Sequence, residues 1–93
     1  MPSFRKKPIV IEAIPALELI RAKTHDDFSN IPEWAIEAHR EGILEIYSIS
    51  IGVVTPEGEM EGDVHDWVIQ GIKGELYPCK PDIFAATYES VNP

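Results

Sequence analysis

The chain has 93 residues, 44% of them hydrophobic, which is enough apolar material for one modest core and leaves no room for a second domain. Sixteen Asp and Glu against eight Lys and Arg give a formal charge of −8, which repels phosphate backbones and disfavours general nucleic-acid binding. No run approaches the ~20 apolar residues of a membrane span, and the basic Arg5-Lys6-Lys7 is followed by too short an apolar stretch for a secretory signal.

Cys79 is the single cysteine, so neither an internal disulfide nor a four-thiolate metal site fits within the chain, and a reducing cytoplasm is the expected setting. Because so small a core leaves a thin stability margin, association with a second copy is also expected.

In chain order, Pro8 to Ile14 is rich in β-branched residues and predicts a strand, one that lies inside a sheet after its first residues. From Pro15 the period changes to that of a short helix, with Leu17 and Ile20 on its apolar side and Leu19 at the edge of that stripe, fraying near Thr24. A polar turn at His25-Asp26-Asp27 follows, with Phe28 as its apolar anchor. Asn30-Ile31-Pro32-Glu33 has the form of a capped helix start, with Asn30 as the capping side chain. The stripe of Ile31, Trp34, Ala35 and Ala38 predicts a second helix, with Glu33, Glu37 and Arg40 in water and Gly42 as its stop.

The remainder predicts strands and turns. Ile43 to Tyr47 and Ser48 to Ile51 are strand-like, Pro56-Glu57-Gly58 marks a turn, and Glu59 to Glu61 leads a strand back towards Gly62-Asp63. Trp67 to Gly71 and Glu75 to Tyr77 predict a hairpin with Lys73 at its tip. Pro78 and Pro81 are expected to exclude regular pairing at Cys79-Lys80, after which Pro81 to Phe84 forms a helical turn and Thr87 to Glu89 a last short strand. The sum is a single α+β domain over residues 1–93, with a mainly antiparallel curved or barrel-like sheet and two short helices packed on one face.

Two constellations bear on function. His65 stands beside Asp63 and Asp66, a set suited to a general base or to metal ligation in a small hydrolase, although neighbouring strand residues point to opposite faces unless the backbone turns there. Cys79 would serve as a nucleophile only with a stabilised thiolate, and a buried, inert thiol is the simpler expectation. His25 and His39 are expected in a polar loop and on an exposed helix face. The second constellation is a recognition surface: Arg5, Lys6, Lys73 and Lys80 supply cations, and Trp67, Tyr77 and Tyr88 supply rings. If the amino-terminal strand lies beside the hairpin, those groups can line a groove for an anionic or nucleotide-like ligand, although the simpler expectation is that Trp34 and Trp67 are the core's largest members. No phosphate loop, dinucleotide fingerprint, zinc-protease helix or nucleophile elbow is present, and no cofactor is expected.

The opening Phe4-Arg5-Lys6-Lys7-Pro8-Ile9-Val10-Ile11-Glu12-Ala13 and the stretch from Asp66-Trp67-Val68 through Gly74-Glu75-Leu76-Tyr77-Pro78-Cys79-Lys80-Pro81-Asp82-Ile83-Phe84 resemble a family of small bacteriophage and prophage proteins with a Pro-Gly-Asp-Tyr-Gly signature. Val64-His65-Asp66-Trp67 stands here where Pro-Gly-Asp-Tyr is often found. The resemblance implies a phage or prophage accessory protein in the bacterial cytoplasm and carries no activity with it. Three readings follow: a non-catalytic protein that binds a host protein or a small anionic ligand, a metal-dependent hydrolase built on His65, Asp63 and Asp66, or an assembly component that forms homo-oligomers.

Overall fold

The computed structural model describes residues 2–5 and 7–91, so the candidate Lys6 lies outside the described residues. Six strands and three helices follow in the order β1 (Glu12–Pro15), α1 (Ala16–His25), α2 (Glu33–Arg40), β2 (Leu44–Ile46), β3 (Ser50–Thr55), β4 (Gly58–Asp63), β5 (Trp67–Gln70), β6 (Leu76–Cys79) and α3 (Pro81–Thr87). The fold is α+β, as the sequence predicts. Its strands form two three-stranded antiparallel sheets, β1-β5-β6 and β2-β3-β4, which do not close into a barrel.

The helices are set by their apolar spacing. In α1 the buried residues are Ala16, Leu19, Ile20 and Ala22, which leaves Leu17 on the outside, contrary to the expected stripe. The helix stops where Asp26 takes a left-handed conformation (φ 52°) and Asp27 donates its backbone N–H to the Ala22 carbonyl at 2.9 Å. Helix α2 buries Ala35 and Ala38, with Ile31 buried just before it and Trp34 half-buried. Its N-cap is Pro32, with no side-chain capping bond, so Asn30 does not cap it. The chain instead reaches the helix through Ile31, which packs into the core and donates to the Phe28 carbonyl at 3.1 Å.

The core is one cluster in which Leu19 of α1 and Leu44, Ile46, Ile51, Val53 and Val68 of the strands are almost wholly buried. Helix α1 packs on β1, β2 and β3, and α2 on β2. The two sheets approach each other at β4 and β6. Gly62 allows this, because a Cβ there would meet Ile51 Cδ1 at 3.0 Å, and Asp66 Oδ2 and Pro78 Cβ each at 3.3 Å.

Several sequence expectations need correction. The amino-terminal strand is shorter and begins later than predicted, and β1 is an outer strand of its sheet, with Ile9 and Val10 exposed before it. Residues 48 and 49 form the bend between β2 and β3, leaving Ile49 exposed, while β3 buries three consecutive residues, Ile51 to Val53. Strand β6 continues through Pro78 to Cys79. Gly71 donates to the Glu75 carbonyl, and the two-residue period then makes Ile69–Tyr77 and Trp67–Cys79 the hydrogen-bonded pairs. Pro78, opposite Val68, therefore falls where its missing N–H is not needed by β5. Finally, the predicted helical turn at Pro81 is a helix through Thr87, and residues 88–90 carry no strand.

Candidate binding site

Pairing of β1 with β5 brings the amino-terminal segment beside the β5–β6 hairpin, as the groove reading requires. Helix α3 then lies on this sheet through its rings. Phe84 stacks on Trp67, with centroids 4.1 Å apart and planes within 8°, and Tyr88 leans on Phe84 at 5.3 Å. The Tyr77 and Tyr88 hydroxyls meet at 3.3 Å, which pushes the Tyr77 phenol up to about 12. No residue of α3 is fully buried, so these ring contacts are what hold the helix down.

Two clefts open between the amino-terminal segment and the α3 end. One, of about 520 Å³, is lined by Ile9, Ile11, Ile72, Tyr77, Tyr88 and Val91, with Lys7, Glu75 and Glu89 among its polar groups. The other, of about 370 Å³, runs from Val10 and Ala13 to Trp67, Phe84 and Tyr88, with Glu12 and Glu89 beside it. Both lie within the usual ~300–1,000 Å³ of a ligand pocket and are mainly apolar.

The proposed site residues divide. Trp67 and Tyr77 line these clefts, whereas Arg5, Lys73 and Lys80 line neither. Lys73 is exposed at the hairpin tip, where its backbone N–H is held by Glu75 Oε1 at 3.0 Å. Lys80 is occupied elsewhere, with Nζ 3.0 Å from Asp66 Oδ2 and 3.7 Å from Asp63 Oδ2. The hydrogen bond and charge of Asp66 raise the Lys80 pKa. The cationic groove thus does not assemble from these three lysine and arginine side chains. The residues missed in the sequence are Phe84, Ile72 and Val91, and the apolar Ile83-Phe84 pair after Pro81 was the available signal.

The His65 constellation resolves as a structural knot. Asp66 is 2% exposed, and its Oδ2 accepts both Lys80 and the Asp63 backbone N–H at 3.0 Å, while its Oδ1 has no hydrogen-bond partner among the described residues. Its carbonyl accepts the Ala16 N–H at 2.9 Å, joining the start of α1 to the turn before β5. Asp63 Oδ1 accepts the His65 backbone N–H at 2.8 Å, which, followed by Lys80, holds the Asp63 carboxyl below its ordinary range. Among the described residues no three His, Cys, Asp or Glu side chains converge as a metal site requires. Burial, then Asp66 and Asp82, pushes the half-buried Cys79 thiol up, the opposite of nucleophile activation. His39 is half-buried, contrary to expectation: it stacks on Phe28 at 5.9 Å, and its Nδ1 donates to the Leu44 carbonyl at 2.9 Å. His25 lies in the exposed last turn of α1.

No protein-family model, curated protein or solved structure matches the chain. Among the described residues, no helix is long and apolar enough to cross a membrane.

Proposed function

We propose that this chain is a non-catalytic binding protein of the phage or prophage accessory type, and that it captures a protein segment at the clefts between its amino-terminal segment and α3. The observation that carries the reading is the composition of those clefts, where Trp67, Phe84, Tyr77 and Tyr88 present rings and aliphatic neighbours beside carboxylates. Rings with apolar neighbours bind by desolvation and shape, and such clefts are common at recognition surfaces.

The charge of the rims favours a protein segment over a small anion. Glu75 and Glu89 flank the larger cleft against Lys7, the one cation among its described lining residues, and Glu12 and Glu89 flank the smaller. A nucleotide phosphate would face more repulsion than attraction there, whereas an apolar peptide with flanking Lys or Arg meets complementary charge.

Calorimetry with a nucleotide panel and a library of short peptides tests this. Saturable binding of basic, apolar peptides, lost in Tyr88→Ala, is expected. Saturable nucleotide binding that depends on Lys7 and Tyr77 would instead establish the anionic ligand.

A further inference from the structure

Four of the exposed apolar residues line the larger of these clefts. Ile9 and Val10 are 43% and 71% exposed, and Ile72 and Val91, which line the larger cleft with them, are 66% and 70% exposed. Ile9-Val10-Ile11 has the β-branched composition of a strand and leads directly into β1, yet no ladder forms before Glu12. A strand-forming segment without a partner beside a sheet is a template for pairing with another chain.

Charge points to the identity of that chain, and the exposed area leaves room for it. The first eleven residues carry Arg5, Lys6 and Lys7 and no acid, while the other five cations stand against all sixteen acids, a balance of +3 against −11. The segment is therefore itself a basic, apolar peptide of the kind the cleft rims suit. The exposed surface is 6869 Å², whereas a 10.4 kDa monomer is expected to show about 5,400 Å². The surplus of roughly 1,500 Å² exceeds the ~800 Å² that each partner gives up in a standard interface.

We infer that a second copy of this chain covers this end, the two amino-terminal segments crossing so that each places Ile9 and Val10 against the other's clefts and its cations near the other's Glu75 and Glu89. The inference rests on the binding reading above and names the partner. A symmetric exchange of this kind makes the same patch self-complementary, because one surface supplies both the basic segment and its acidic receptor.

Light scattering on the full chain across a concentration series tests it. A mass near twice 10.4 kDa is expected. The double variant Ile9→Asp/Val10→Asp should weaken the dimer by at least about tenfold without changing the circular dichroism of the fold. Arg5→Glu/Lys7→Glu should weaken it too, and Glu75→Lys/Glu89→Lys added to that variant should restore it. Ile49→Asp, on the far bend between β2 and β3, should leave it intact. A monomer at every concentration, or a dimer indifferent to the Ile9 and Val10 changes, overturns the inference. If that monomer still binds basic, apolar peptides through Tyr88, only the second copy is refuted; if it binds none, the binding reading falls with it.

Discussion

At the residue scale, Asp66 shows most clearly why neighbours in sequence mislead. Beside His65 it suggests acid–base chemistry, but its buried carboxylate serves Lys80, fourteen residues away, and the Asp63 backbone. That role is invisible until β5 and β6 pair. Asp66→Ala removes both bonds from a water-poor position and should lower unfolding stability by about 2–4 kcal/mol in urea titrations. Asp66→Asn keeps an acceptor and should lose less. The pH profile follows from the shifted groups. Asp63 is held below its ordinary range, so its contribution is present above the unfolded carboxylate value and is lost as pH falls through the folded one. Lys80 is raised, and Tyr47 and Tyr77 are raised to about 12 by Glu59 and Tyr88, so their contributions hold below their unfolded values and fade as pH climbs through the folded ones. Melting temperature should therefore fall at both extremes, and Tyr47→Phe with Tyr77→Phe should flatten the alkaline fall between about pH 10 and 12.

At the element scale, the helices and the hairpin were legible because their signals are local: a 3.6-residue stripe in α2, and Gly71 and Gly74 around the tip of β5–β6. The ends of elements were not. Helix α3 looks like a single turn in sequence because no buried stripe extends it, and its length depends on Phe84 meeting Trp67, a contact across elements. Phe84→Ala should accordingly raise amide exchange across residues 81–87 by about tenfold or more while β3 keeps its protection. The α2–β2 junction is held by a different kind of contact, the His39 bond to Leu44 and its stack on Phe28. His39→Ala should cost about 1–2 kcal/mol, read as a shift in the urea midpoint with an unchanged slope.

At the scale of the whole molecule, the excess of acids should make the chain more stable as salt is added, because screening relieves self-repulsion more than it weakens scattered ion pairs. A rise of a few degrees in melting temperature between about 10 and 150 mM salt is expected by differential scanning calorimetry. The same long-range view separates the two constellations read from sequence. The rings Trp67 and Tyr77 reach the clefts, while Lys80 is drawn to buried Asp66 and neither Arg5 nor Lys73 lines a cleft. By itself, the order of residues determined the α+β class and most helix and strand positions, since periodicity and turn chemistry act over a few residues, whereas it left the approach of the amino-terminal strand to the hairpin as a condition that the pairing of β1 with β5 then met. Only the tertiary structure decided the division into two sheets, the outer position of β1 and the partner of each charged side chain. Those outcomes depend on which distant surfaces meet, and Gly62, open to Pro78 and Asp66 alike, acquires its meaning only once β4 and β6 lie side by side.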